Sequence, residues 1–222
     1  MKVQYRNTLL RIVTPQQATD FHYIDYIDDN GLLKIREDKY NDIINNITYY
    51  KALSETDNEI IALYHNVALR SIYIRTRTTY GSYTVEEEKE YIKNTDLDQF
   101  ELSDVTMKYL YDSVGREIAS QYIDSSLPQT DLMSRSVNKI YYLGTEEEYH
   151  NGDVPYLSTH YEGYNAEFER MWYDPKLLDD EVDDGQDIEQ FLLQEAATFM
   201  NELQIPQDMQ DWYFNDVFLP PL

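Results

Sequence analysis

One stretch of this chain resists being turned inward. Residues 146–222 carry 20 acidic side chains against two basic ones, Arg170 and Lys176, a net of about −18. Carboxylates without partners stay out of a core, because stripping them of water is costly. Residues 1–145 hold 22 acids and 16 bases and are far closer to balance. The last third therefore presents a face that repels nucleic acid, imitates it, or meets a basic partner. Glu146, Glu147, Glu148, Asp179, Asp180, Glu181, Asp183 and Asp184 are the residues expected to form it.

At 222 residues the chain is long enough for one large domain or two small ones. The hydrophobic fraction is 42% and includes 22 Tyr, which suffices for a real core and argues against disorder. The absence of Cys excludes disulfides, thiolate nucleophiles and cysteine-ligated metals. The first residues lack the apolar run of a signal peptide, and no window approaches 18 consecutive apolar residues. A virion or host-cytoplasm location is expected, neither secreted nor membrane-bound.

Along the chain, residues 1–38 read as β-structure. Phe21, Tyr23, Ile24, Tyr26 and Ile27 lead into Asp28-Asp29-Asn30-Gly31, and Asn-Gly between apolar runs signals a hairpin. From Tyr40 the spacing of Ile43, Ile44, Ile47 and Tyr50 predicts a helix to about Ser54. Thr56-Asp57-Asn58-Glu59 is a capping box opening a second helix through Ile60, Ile61, Tyr64, Val67, Ala68 and Ile72. Residues 70–80 fit either the end of that helix or an alternating strand. Thr84 to Asn94 reads as an acidic helix. Ser103 caps a longer one, with Met107, Leu110, Tyr111, Val114, Ile118 and Tyr122 as its stripe and Gly115 inside it. Val137–Leu143 and Tyr149–Leu157 have strand character, and Asp187–Leu203 predicts a last helix stopped by Pro206. The expected fold class is α+β: a mainly helical core over about 40–125, flanked by β-hairpin regions, then a C-terminal helix and an extended aromatic tail. The expected division is 1–128, a hairpin and helical domain, and 129–222, an acidic mixed region.

Motifs for chemistry are sparse. Tyr26-Ile27-Asp28-Asp29 has the form of a polymerase metal-binding turn, but four residues carry no such assignment and the net charge of −24 opposes template binding. With Gly185 set sixth in a calcium loop, Val182 and Phe191 fall at ligand positions, and neither binds a cation. His150 and His160, with Glu148 and Glu162, could meet across a hairpin, whereas surface or strand-pairing roles are the default. Arg70, Arg75 and Arg77 near Tyr73 and Tyr80 form a weak basic patch, equally explained as salt-bridge partners. No catalytic residue, metal or cofactor is assigned, and the chain is read as no enzyme.

Two functions from different classes fit. The first is a structural assembly adaptor bound to other protein subunits, with no sequence-specific nucleic-acid binding and no membrane. Trp212, Tyr213, Phe214, Val217, Phe218 and Leu219 would dock a partner, since such rings are the anchors of interfaces. The same segment could instead fold back onto its own core. In a homo-oligomeric ring, an acidic lining would let DNA pass without phosphate contacts, as in the head-to-tail connector of a bacteriophage virion. The composition, rich in Tyr, Asn, Asp and Ile and free of Cys, is similar to that of many small bacteriophage proteins. The alternative is an acidic DNA mimic that inhibits a host DNA-binding enzyme.

Overall fold

Alternation of β-branched and aromatic residues with polar ones runs through most of this chain, and strands are what it builds. The computed structural model describes residues 1–142 apart from 9 and 130, then 156–162, 165–173, 186–190, 198, 200–202 and 204–222. The chain divides into two units, residues 1–78 with 86–106, and residues 79–85 with 107–222.

In the first unit, β1 (Lys2–Arg6), β2 (Ile12–Val13), β3 (Phe21–Ile27), β4 (Leu33–Tyr40) and β5 (Ile43–Tyr50) pair antiparallel in the spatial order β2-β1-β3-β4-β5. β5 then pairs in parallel with β6 (Ser71–Tyr80), with Ile47 opposite Ile72 and Tyr49 opposite Ile74. A parallel pair needs a crossover. Helix α1 (Asp57–Tyr64) supplies it, started by the expected capping box: the Glu59 amide donates to Thr56 Oγ1 at 3.3 Å, and the Thr56 amide donates to Glu59 Oε2 at 2.9 Å. Ile60 of α1 packs with Ala68 onto Ile47, Tyr49, Ile72 and Ile74, and that cluster is the core of the unit. The strand order continues with β7 (Tyr83–Asn94) and β8 (Gln99–Tyr111), whose residues 86–94 and 99–106 belong here.

The second unit takes the rest of β7 and β8, followed in order by β9 (Glu117–Asp124), β10 (Arg135–Tyr142), β11 (Tyr156–Glu162), β12 (Asn165–Tyr173) and β13 (Gln186–Gln190). From β9 onward each strand pairs antiparallel with the next. A short helix α2 (Gln207–Tyr213) brings Trp212 and Tyr213 onto Leu110, Ile118, Ala119, Met200 and Ile205.

The mainly helical core expected over 40–125 is overturned, because that stretch is sheet with one short helix. Ile43, Ile44, Ile47 and Tyr50, spaced like a helix face, lie in β5. The turn before it is Asn41-Asp42 with φ of +48° and +64°, the two positive values of a tight hairpin turn that Asn and Asp tolerate. Residues 84–94, expected as helix, are β7, where glutamates alternate to meet arginines of β6. The stripe from Met107 to Tyr122 is split between β8 and β9. Its Gly115 is no helix interior but the tip of a hairpin, with φ +86°. For residues 71–80 the alternating reading holds. The last helix loses its start to β13, while residues 198 and 200–202 are helical.

The same turn recurs three times. In Asp28–Gly31 and Asp112–Gly115 the aspartate Oδ1 accepts the amides two and four residues on, and its own amide donates to the carbonyl four residues ahead. Asn7–Leu10 repeats the backbone bonds, but Leu10 occupies the glycine position at φ +58°. A left-handed leucine costs about 1–2 kcal/mol, partly offset in a Leu10→Gly chain by the greater freedom of unfolded glycine. Leu10→Gly should raise the unfolding free energy by about 0.5–1 kcal/mol in urea titration.

Candidate interaction surfaces

Residues paired directly across strands share a sheet face. Gln4, Asp25, Arg36, Thr48 and Tyr73 form one such row across β1, β3, β4, β5 and β6. This face lies opposite the one covered by α1, and charge fills it. Asp25, 1% exposed, accepts from Arg6 Nε at 2.5 Å and from Arg36 Nε and Nη2 at 2.7 and 3.0 Å. Further along, Arg75 Nε donates to Glu88 at 2.5 Å and Arg75 Nη1 to Glu86 at 3.1 Å, while Arg77 Nε donates to Glu86 at 2.6 Å. The Arg77 guanidinium lies 3.9 Å from the Tyr50 ring centroid. Burial weighs against the Arg75 charge, yet Tyr50, Glu88 and Glu86 outweigh it and raise its pKa.

Of the three arginines in the basic patch suspected from the sequence, Arg75 and Arg77 are ion-paired with Glu86 and Glu88 within the unit. The partners come from the same half of the chain, two to four positions into a run that reads as helix by composition. Asp28 of the polymerase-like motif is a turn former, its pKa lowered first by the Leu32 amide. A concavity of about 480 Å³ beside it has Lys2, Arg6, Asp25, Asp29 and Arg36 in its wall, charges of both signs.

The closing aromatic segment folds back. Trp212 and Tyr213 are 2% exposed and Phe218 8%, Phe214 and Leu219 pack against the same core, and Val217 alone of the six is largely exposed. Tyr80 Oη donates to the Pro220 carbonyl at 3.2 Å, and the Leu222 side chain sits over Gly81. The segment is anchored from below by Lys139, fully buried on β10. Its Nζ donates to the carbonyls of Trp212 and Asn215, and lies 4.7 Å from the Trp212 ring centroid. Arg135 clamps the outer side, donating to Asp216 Oδ2 and to its carbonyl at 2.7 Å each. The rings taken as partner anchors thus complete their own unit, because burying them on Leu110 and Ile118 gains about 1.5–3 kcal/mol each.

What remains open is a strand edge. β2 ends the strand order and covers β1 only at Tyr5 and Arg6. Among the described residues, Lys2, Val3 and Gln4 have a strand neighbour on one side only, through β3. Val3, Leu10 and Ile12 beside this gap are 49%, 44% and 62% exposed. Such an edge presents unpaired amides and carbonyls with apolar flanks, a template for another strand. The signal was present in the sequence as Val3, Tyr5 and Ile12 in a run without acids before Asp20, but no residue there carries chemistry of its own.

Glu146, Glu147, Glu148, Asp179, Asp180, Glu181, Asp183 and Asp184 lie outside the described residues, as does the calcium-like loop up to Gly185, and residues 186–190 of that loop are strand β13. The side chains of His150, Glu148, His160 and Glu162 do too. Among the described residues no group of three or more His, Asp or Glu is placed to hold a metal ion, and no helix is long and apolar enough to cross a membrane. Compared with known proteins, the chain matches no family, no curated protein and no solved structure.

Proposed function

We propose that this chain is a non-enzymatic assembly subunit that works by contact with other protein subunits. The half-paired β1 edge carries this reading: Lys2–Gln4 has a strand neighbour on one side only among the described residues, beside exposed Val3, Leu10 and Ile12. Main-chain pairing gives such an edge affinity, and neighbouring side chains give it selectivity. The large ion-paired face of the first unit supports the same role, since its guanidinium groups are occupied by carboxylates and serve rigidity. We extend the proposal to the setting expected from the sequence, the head-to-tail connector of a bacteriophage virion. There, acidic residues facing a lumen would deny passing DNA its phosphate contacts. The test is size-exclusion chromatography with light scattering on the full chain, from micromolar concentration upward. The expected mass is a multiple of 26.4 kDa. A single-chain mass at every concentration overturns the proposal.

A further inference from the structure

Resting on that reading, we infer that the occupant of the β1 edge is a second copy of this chain, and specifically the β13 edge of that copy. β2-β1 and β13 stand at the two ends of the strand order, so each copy offers one edge of each kind. Among the described residues β13 has a single strand neighbour, β12. The two edges are opposite in charge. Residues 1–19 contain Lys2, Arg6 and Arg11 and no acid, and Lys2 and Arg11 are exposed with no ion-pair partner among the described residues. The β13 sequence Gln186-Asp187-Ile188-Glu189-Gln190 holds two acids and no base.

The charges also choose against other pairings. A lysine on an open edge is a device that discourages edge-to-edge association. It does so against a second basic edge, and β1 against β1 would bring Lys2 and Arg11 of two copies together. Against an acidic edge the same residue is attractive, so the device becomes a partner filter. Unlike edges also fix the symmetry. A contact between two different surfaces is heterologous, and it propagates head to tail into a ring when the rotation closes and a filament when it does not. In a chain with a net charge of −24, such a local reversal of sign lowers the repulsion between copies at the contact.

Because the chain has no Cys, introduced thiols report contacts without background. One chain carries Val3→Cys, and others carry Asp187→Cys, Ile188→Cys or Glu189→Cys. On mixing under mild oxidation, at least one β13 variant should form a disulfide-linked pair with the Val3→Cys chain. The Val3→Cys chain alone should stay uncrosslinked. In parallel, Lys2→Glu/Arg11→Glu should reduce the light-scattering mass to 26.4 kDa, and adding Asp187→Lys/Glu189→Lys to the same chain should restore the oligomer. Circular dichroism shows that each variant is folded. A Val3–Val3 crosslink, or an oligomer unchanged by the charge reversal, overturns the edge pairing while leaving the assembly reading intact. A reversal that disperses the oligomer without rescue by the second pair also overturns it. A wild-type chain that is monomeric throughout removes both.

Discussion

Lys139→Ala should destabilise the second unit by about 3–5 kcal/mol, the largest loss from any single truncation in it. The side chain is 0% exposed and fills the space beneath the end of α2, so its four methylenes leave a cavity when removed. Its ammonium also donates to the carbonyl of Trp212, in the last turn of α2, and to that of Asn215 just beyond the helix end. The last carbonyls of any helix need outside donors, and this buried end finds one in Lys139. The outcome shows as an earlier transition in urea, together with a rise in Trp212 solvent exposure by fluorescence quenching. Lys139→Met keeps the volume but not the donors and should cost about 1–3 kcal/mol, separating packing from hydrogen bonding. Equal stability of wild type and Lys139→Ala would remove Lys139 as the anchor of the closing segment.

The pH dependence gives an independent reading of the same site. Burial pulls the Lys139 pKa down to about 7, with Asp216 opposing and Arg135 assisting. A folded-state value below the unfolded one of 10.5 means that the unfolded chain binds the extra proton between these limits. Stability contributed by Lys139 therefore rises as pH increases from about 7 toward 10, and is flat below 7, where both states are protonated. The Lys139→Met chain should lose that slope.

Local signals with a mechanism were legible in the sequence, and so was the alternation at Ser71–Tyr80, whereas helix-like spacing misled. The capping box at Thr56–Glu59 and the Asn30-Gly31 hairpin depend on contacts within a few residues, so nothing distant can overrule them. The stripes at Tyr40–Tyr50 and Met107–Tyr122 misled because Ile, Tyr and Thr at spacings of three and four also occur in strands whose two faces are both half-buried. When both faces are covered, alternation fades and the period carries little information. Glu86, Glu87 and Glu88 misled for a different reason. Glutamate favours helices in isolation, but here alternate members face Arg75 and Arg77 on the neighbouring strand, a long-range pairing that no local rule anticipates. The Asn7, Asp28 and Asp112 turns form one pattern, an Asx residue three positions before a left-handed one, which becomes visible only when the three are set side by side. The aromatic terminus posed the converse difficulty: residues fit to anchor a partner are chemically the same as residues fit to anchor their own unit. The edge at Lys2–Gln4 was hard to read as a site because the role proposed for it rests on main-chain groups, and those are shared by every residue type.

Asp25→Asn should cost the first unit about 3–5 kcal/mol, although the side chain keeps its shape. Asp25 is hydrogen-bonded to both Arg6 and Arg36, and it is 1% exposed. Burial alone would lower the Arg36 pKa, and the bond to Asp25 overcomes that and raises it. An amide in its place offers one oxygen and no charge, so a mostly covered guanidinium loses its counterion while remaining out of water. The loss propagates toward the proposed interface, because Arg6 also donates from Nη1 to the Leu10 carbonyl at 2.7 Å and so ties β1 to the turn leading into β2. Two measurements separate a buried charge left alone from a general loss of packing. First, Asp25→Leu combined with Arg6→Met and Arg36→Met should recover most of the stability that Asp25→Leu alone removes, since replacing every member of a buried ion group by apolar side chains is often near neutral. Second, amide hydrogen exchange at Lys2–Arg6 should accelerate in Asp25→Asn beyond the exchange of α1. If the triple variant is no better than Asp25→Leu, the triad is packing rather than electrostatics, and the charged face has to be understood as a set of independent contacts.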